Sequence, residues 1–398
     1  MVDSPAAAPY TSAVTDPRNL YSNWVEVDLA VIEANTRRLT TLTKAAVMAV
    51  VKANAYGHGA IPVAQAAARG GADWFGVARA EEALDLRAAG IGLPILVLGP
   101  APTDRLPALI AAGVSLTVSD EVQIDAAARA ARDQQATAKI QLKLDSGMNR
   151  LGAAPEAAVS LARRMGQHPG LSFEGAFTHF ARADEGVPQP VHRQLEQFEH
   201  ALSALSSAGV RPPLIHAANS AATLGWPETH FDLVRVGIAL YGLRPSPAAP
   251  LPAGLQPALE WKTQLTRIRS VPPGEGISYG HEYVTHTTER IGTVLVGYAD
   301  GLRRVAGNQL LVGGVNVPMV GRVCMDFCMV QLDRVPGAKE GDEAVIISSQ
   351  GDTRLSAEQV ADRWGTINYE VTCGIGARVP RLNWPERIVW RPPGSGTQ

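Results

Sequence analysis

Between residues 24 and 243 the chain repeats one pattern eight times: a short apolar run followed by a stretch with helical periodicity. The runs fall at 46–51, 74–77, 94–98, 115–118, 140–144, 173–178, 214–217 and 233–240. Apolar runs this short, separated by amphipathic segments, read as parallel strands joined by crossover helices. Eight such units fit a (β/α)8 barrel. A doubly wound open sheet has the same texture, because alternation alone does not show closure.

The helical segments carry their own signals. Asp28 reads as an N-cap, with Leu29, Ile32, Leu39 and Leu42 on one side of the helix it starts. Val191, Leu195, Phe198, Leu202 and Leu205 recur at spacings of 4, 3, 4 and 3 and stop at Gly209. The alternation ends in a proline-rich stretch at 244–257, which reads as a stiff linker or a wrap-around crossing. Beyond it the texture turns to β, with strands expected at 265–271, 290–296, 309–312, 317–330 and 343–347. One helix is expected at 356–364, with Ser356 and Gln359 as a capping box. The expected organisation is a flexible leader (1–22), a barrel (23–243), the linker (244–257), a β-rich domain (258–390) and a disordered tail (391–398).

Composition narrows the function classes. The 36 basic and 38 acidic residues give no basic field for nucleic acid or an acidic membrane. No apolar run approaches the ~20 residues of a membrane span. The N-terminus lacks the basic and apolar regions of a secretory signal. An odd and sparse cysteine set (Cys324, Cys328, Cys373) fits a reducing cytoplasm. On a strand, Cys324 and Cys328 would stand about 13 Å apart, too far for a disulfide or a shared metal. Cys324 and Cys328 read as buried small hydrophobes, and no metal is expected. The basic residues are lopsided, with 30 Arg against six Lys.

In a barrel, reactive side chains sit at the C-terminal ends of strands. The first strand delivers Lys52 there, in VVKANAYGHG. Poor solvation should lower its pKa and favour imine chemistry with an aldehyde or carbonyl; the bland alternative is an amine reaching solvent. The fifth strand ends LKLDSGMNRLG. It places Lys143 and Asp145 on one face as an ion pair or a positioned cation, with Arg150 beyond the turn. The sixth presents His179, which structural roles alone would also explain. The seventh presents His216, Asn219 and Ser220. The eighth holds Arg235, followed by Gly237, whose missing side chain lets backbone approach a phosphate. Loops after strands seven and eight commonly bind phosphate in barrels. An imine-forming Lys, a phosphate cradle, and His and Arg between them point to pyridoxal 5′-phosphate. The β region adds Tyr279, Tyr283, Tyr298, Arg322, Met325, Asp326 and Tyr369 in or beside Gly-flanked loops.

Taken in order, VVKANAYGHG, LKLDSGMNRLG, THFARADE, HAANSAA, VRVGIALYGL, ISYGHEY, VGYADG, GRVCMDFCM and TINYEVTCGIGARVPR resemble the alanine racemase family over about nine-tenths of the chain. The resemblance implies a barrel plus a β-domain, pyridoxal phosphate as cofactor, alanine as substrate, and a homodimer with shared active sites. It also implies a cytoplasmic role supplying D-alanine for peptidoglycan. Lys52 resembles the cofactor-bearing lysine. Tyr56, Ser220, Gly237, Ile238 and Tyr369 resemble phosphate contacts, and Asn219 stands among the cofactor-binding residues. Arg235 resembles the arginine on the pyridine nitrogen, with His216 as its support, and His179 the ring-stacking histidine. Arg150 resembles the arginine near the phenolic oxygen, and Lys143 the carbamylated lysine that orients it. Tyr279 resembles the second acid/base, contributed across the dimer. Met325 and Asp326 resemble the segment meeting the substrate carboxylate, also from the partner. Tyr298, Arg322 and Tyr369 resemble residues of the access corridor, while Arg378 and Pro380 match the closing motif. Phe327, where a Gln is expected, and the small residues Gly374 to Ala377 depart from the pattern and bear on that corridor.

Racemisation removes a proton from one face of a carbon and returns one to the other, which two bases on opposite faces accomplish. A serine or broad-specificity racemase of the same fold stays open. A basic amino-acid decarboxylase would need a Gly-rich phosphate loop absent from this sequence. A non-catalytic pyridoxal-phosphate carrier would not need the β-domain.

Overall fold

The computed structural model describes residues 16–384 and 388–390. The expected leader is therefore described only from Asp16, and the expected tail lies outside the described residues. The described residues divide into two compact units, one of residues 31–55 and 60–257, the other of residues 16–30, 56–59 and those described from 258 on.

The first unit holds eight parallel strands: Ala46–Val50, Trp74–Val77, Ile95–Val97, Ser115–Val118, Ala138–Lys143, Leu171–Phe177, Leu214–His216 and Leu233–Val236. Neighbours pair in chain order, and the last strand lies against the first, Met48 opposite Arg235. Between the seventh and eighth, Asp232 N donates to Ile215 O (3.0 Å) and Arg235 N to Ala218 O (2.9 Å). The ring of strands therefore returns on itself, and the open-sheet alternative fails. Helix Pro188–Ser207 buries Val191, Leu195, Phe198, Leu202 and Leu205, as their spacing predicts. Asp28 caps helix Leu29–Thr40, Oδ1 accepting from Ala30 N at 2.9 Å.

Two local features shape the barrel. Between the fifth and sixth strands, Ile140 faces Phe173 but Gln141 faces Gly175, so Glu174 is the extra residue of a β-bulge. The proline-rich stretch is no free linker. Asn35 Nδ2 donates to Leu240 O (3.0 Å) and Gln256 O (2.8 Å), and its Oδ1 accepts from Gln256 N (2.9 Å). It wraps the barrel.

The second unit is built on a mixed sheet in the order Val315–Pro318, Gln309–Val312, Glu343–Gln350, Leu259–Val271, Asn23–Asp28, Arg381–Trp384, Ile388–Trp390. Strand Asn23–Asp28, placed in the barrel span by the sequence reading, belongs here: Val25 pairs with Trp261 on one side and Arg381 on the other. Its apolar residues Trp24, Val25 and Val27 complete this core. The expected strand 317–330 is two, because Gly321 turns the chain at φ +69° and Cys324 N donates to Phe327 O (2.8 Å) around a tight turn. Cys324 and Cys328 thus flank a turn, and the strand-spacing argument for their separation does not apply. Of the three cysteines only Cys328 is buried, and Cys373 is exposed. The capping box of helix Ala357–Trp364 is present, Ser356 N to Gln359 Oε1 at 2.8 Å and Gln359 N to Ser356 Oγ at 3.2 Å.

Candidate active site

The first barrel strand ends at Val50, and the chain then winds the wrong way. Ala53, Asn54, Ala55 and Tyr56 all have φ of 52–54°, a left-handed turn made without glycine. Such a conformation costs an L-residue roughly 1–2 kcal/mol. Side chains pin it: Glu82 Oε1 accepts from Ala53 N (2.6 Å), and Asn54 Oδ1 from Ala60 N (2.9 Å). Glu82 Oε2 also takes the N–H groups of Ala78 and Arg79. Lys52 stands at the head of this turn, half-buried, and its charge is felt by both Lys143 and His179.

Arg235 is the hub of the pocket. Its side chain is buried, and its Nη2 donates to Thr178 O (2.7 Å), Ala217 O (2.9 Å) and His179 Nδ1 (3.1 Å). Nη1 donates to His216 Nδ1 at 2.9 Å. Every acceptor is neutral: burial and the surrounding cations hold both histidines well below their ordinary pKa. Burial lowers Arg235 itself to about 9, which leaves it charged at neutral pH. Phe177 lies under the cluster, stacked on His216 with centroids 4.7 Å apart. The Lys143 ammonium and the Arg235 guanidinium sit 5.3 and 5.5 Å from its centroid.

Lys143 is also buried. Burial first, then the charges of Arg235, Arg150 and Lys52, lower its amine from 10.5 to about 8. It has no ion pair with Asp145 among the described residues. Asp145 Oδ1 instead accepts from the N–H groups of Gly147 (2.9 Å), Met148 (2.8 Å) and Asn149 (3.0 Å), shaping the loop that presents the exposed Arg150.

Across the barrel ends, Asn219 Oδ1 caps the turn Ser220–Gly225 by accepting from Ala222 N at 3.0 Å. Ser220 Oγ accepts from Gly237 N at 2.8 Å, which joins this turn to the 3-10 turn Ile238–Tyr241. First-turn N–H groups lack intrahelical acceptors, so two sets of donors converge on one place. The barrel unit therefore brings together Lys52, Lys143, Arg150, His179, His216 and Arg235 around one pocket. Asn219 and Gly237 hold the two turns in place, and the first-turn N–H groups of Ser220 and Ile238 form a donor cradle.

The other candidates belong to the second unit. The buried Tyr56 ring lies 6.0 Å from that of Tyr369, and burial pushes its phenol well up. Gly57 allows that packing: at φ +86° its absent Cβ would stand 2.1 Å from Thr372 O. Tyr279 tops the turn between strands Gly276–Ile277 and Tyr283–Val284 and is 70% exposed. The residue before it, Ser278, has φ 66° and ψ −172°, a region held almost only by glycine. Its Oγ donates to Arg322 O (2.7 Å), and Arg322 pairs with Glu282. Tyr298 N and Ala299 N donate to Cys324 O and Met325 O (both 3.0 Å), so the Tyr298 and Met325 loops are stitched together. Arg378 bridges the buried Asp300 (2.6 Å) and Asp326 (2.8 Å). Tyr283 anchors the hairpin from below, its OH donating to Glu289 Oε2 at 2.5 Å. Sequence reasoning passed over Phe177, Gln141, Glu174 and Glu82, although Phe177 lies two positions before His179 and Gln141 two before Lys143.

The donor set suits pyridoxal phosphate. A buried guanidinium held only by neutral acceptors, three further cations and a cradle of N–H and hydroxyl groups make a pocket short of negative charge. A ring nitrogen that accepts, an anionic phenolic oxygen and a phosphate answer that shortage. Lys52, at a strand end, is an amine of the kind that forms imines with an aldehyde. Barrel and donor set together define a pyridoxal-phosphate enzyme built on a (β/α)8 barrel with an appended β-unit. Residues 27–245 match the family model of the alanine racemase N-terminal domain, and residues 258–383 that of the C-terminal domain. The chain is 45% identical over 362 residues to the alanine racemase of Symbiobacterium thermophilum, covering 90% of this chain and 96% of that one. It is 41% identical over 363 residues to the alanine racemase of Desulfovibrio desulfuricans, at 90% and 97% coverage. Among solved structures, the alanine racemase of Bacillus anthracis with bound L-Ala-P superposes with a TM-score of 0.88 at 42% identity, covering 92% and 96% of the two chains. That of the D-cycloserine producer Streptomyces lavendulae gives 0.86 at 41%, covering 91% and 97%. The chain belongs to the alanine racemase family, a family of pyridoxal-phosphate-dependent isomerases.

Proposed function

We propose that the chain interconverts L- and D-alanine by a two-base mechanism, as a homodimer whose active sites are shared. The observation that carries the reading is the buried Arg235, held by neutral acceptors beside Lys52, Lys143 and Arg150. Bound at Lys52, pyridoxal phosphate supplies an electron sink that acidifies the proton on the amino-acid α-carbon. Tyr56, Ser220, Gly237, Ile238 and Tyr369 hold its phosphate, with Asn219 shaping the Ser220 turn. Arg235 can only donate, so the ring nitrogen it meets stays an acceptor and unprotonated. That restrains the sink and disfavours proton addition at the wrong carbon. His216 supports Arg235, and His179 packs beside the ring.

Lys52 Nζ would take or return the proton on one face, and Tyr279 Oη of a second copy would serve the other. Arg150 orients the phenolic oxygen and the substrate carboxylate. Met325 and Asp326 of the second copy close over that carboxylate, and Tyr298, Arg322 and Tyr369 line the access corridor. Support for the shared site comes from exposure: Tyr279, Ile367, Met325, Tyr298 and Phe327 of the β-unit are 70, 59, 53, 46 and 42% exposed. The loops of Tyr279, Tyr298 and Met325 are tied to one another, and large apolar side chains exposed side by side mark an interaction surface. Lys143, lowered to about 8, keeps a fraction of its amine unprotonated near neutral pH, and that form adds CO2 and releases a proton. The resulting carbamate would carry the missing negative charge to Arg150. No helix among the described residues is long and apolar enough to cross a membrane. We place the chain in the cytoplasm, supplying D-alanine for peptidoglycan.

The test is Lys52→Ala. Expected is loss of both the visible absorbance of lysine-bound cofactor and the appearance of D-alanine from L-alanine by chiral chromatography. Retention of both would overturn the assignment. Running L-serine and L-lysine in parallel reads the substrate range.

A further inference from the structure

Arg235 donates to His216, but the contact does not end there. An arginine has donors only, so the 2.9 Å contact from its Nη1 makes His216 Nδ1 the bare, accepting nitrogen. The proton of the neutral ring is then on Nε2. Nε2 donates to Gln141 Oε1 at 2.8 Å, and Gln141 Nε2 donates to Glu174 Oε2 at 2.8 Å. Turning the amide over would set donor against donor at His216 and acceptor against acceptor at Glu174. Only one polarity satisfies the whole chain, and it runs from the guanidinium across the barrel to a carboxylate.

The backbone is arranged to make this chain. Glu174 is the extra residue of the bulge between strands Ala138–Lys143 and Leu171–Phe177, and bulges re-aim the side chain they insert. Gly175 follows: a Cβ there would stand 3.2 Å from Gln141 Cδ and 2.8 Å from Leu214 O, so glycine gives the amide its room. Gln141 is fully buried, where an amide that served packing alone would be a poor choice. Phe177 stacks on His216 at 5° and fixes the ring plane.

We propose that Gln141 and Glu174 are positioning residues that fix the tautomer of His216 and, through it, hold Arg235 as a donor to the cofactor's ring nitrogen. The proposal rests on the reading of Arg235 given above. Neither residue touches cofactor or substrate, and both act through His216.

The experiment is 15N NMR of the His216 ring in the holoenzyme, read with the ratio of pyruvate released to D-alanine formed. In the wild type a single Nε2–H tautomer is expected. In Gln141→Leu the buried Nε2–H loses its acceptor. With Nε2 unpaired, a second tautomer is expected whose Nδ1–H no longer accepts from Arg235 and breaks that contact, with kcat down on the order of tenfold, the weight of one hydrogen bond. KM for alanine is expected to stay near wild type and the pyruvate ratio to rise. A packing role alone would lower stability and leave tautomer and ratio untouched, and that result overturns the proposal. If Gln141→Leu does not fold, the pair Glu174→Gln and Glu174→Leu decides. The first keeps an acceptor for Gln141 and should keep the wild-type His216 spectrum; the second should lose it. Equal, wild-type spectra in both overturn the proposal. Arg235→Lys separates the two levels. If it leaves absorbance and pyruvate ratio unchanged, the placing of Arg235 on the ring nitrogen fails, whereas the His216 spectra of the Gln141 and Glu174 variants still read the chain itself.

Discussion

Replacing Lys143 by Met should stabilise the cofactor-free protein while harming its function. The amine is lowered from 10.5 to about 8, by burial first and by Arg235, Arg150 and Lys52 after that. The sign follows from proton counting. Below pH 8 the amine is charged folded and unfolded, and the folded state bears the full cost of burying that charge. Between pH 8 and 10.5 the folded form is neutral while the unfolded form still binds a proton. Stability then rises by about 1.4 kcal/mol per pH unit. Two and a half units amount to about 3 kcal/mol, the order of the gain expected for Lys143→Met at pH 7, since the thioether has similar length and no charge. The gain should shrink through the window and vanish above pH 10.5. The assay is urea denaturation of both apo-proteins from pH 6 to 11 in CO2-free buffer. The difference between the curves isolates Lys143, because every other titrating group is common to both proteins. Added bicarbonate should stabilise the wild type by converting the amine to a carbamate, and do nothing for the variant. A variant less stable at pH 7, with no narrowing of the difference above pH 8, would refute the argument that this pocket is strained by uncompensated positive charge.

Other perturbations probe separate levels. Tyr279→Phe should abolish racemisation yet leave the absorbance of bound cofactor intact; near wild-type turnover would end the two-base reading. Gly57→Ala, which drives a methyl to 2.1 Å from Thr372 O at a positive φ, should cost at least 1–3 kcal/mol in denaturant unfolding, the usual price of overpacking. Ser356→Ala removes a two-way capping box from helix Ala357–Trp364 and should cost about 1 kcal/mol, with activity unchanged. A loss below a few tenths in that variant would mean the helix is held by packing alone.

Much of the barrel was legible because its signal is periodic. The eight apolar runs, the Leu and Phe stripe from Val191 to Leu205 and the cap at Asp28 each repeat a local rule. What failed were inferences that needed partners distant in sequence. Asn23–Asp28 reads as the opening of the barrel span by position, yet its neighbours are Leu259–Val271 and Arg381–Trp384, more than two hundred residues away. The span 317–330 is apolar enough for one strand, but Gly321 and the turn at 324–327 divide it. The site shows the same split. Lys52, Lys143, His216 and Arg235 stand out as charged or polar residues at strand ends. Glu174 is one Glu among many until a one-residue slip in register turns it to Gln141.

The left-handed turn after Lys52 carries this contrast furthest. Nothing in Ala53 and Ala55 favours φ near +53°; of the three only Asn54 tolerates it readily, and glycine would adopt it more readily still. The fold instead applies Glu82, whose carboxylate takes three backbone N–H groups from two loops, and Asn54, whose side chain closes onto Ala60. A glycine-rich turn would reach the same shape with less strain but with more freedom. Residues with a Cβ forced there have few alternatives, so the backbone at the base of Lys52 is fixed. Ser278, strained beside Tyr279 and tied to Arg322 O, repeats the device in the other unit. Both residues proposed to move protons therefore follow or head backbone that is held against its preference, which is where a proton-transferring group needs a fixed anchor and a mobile tip.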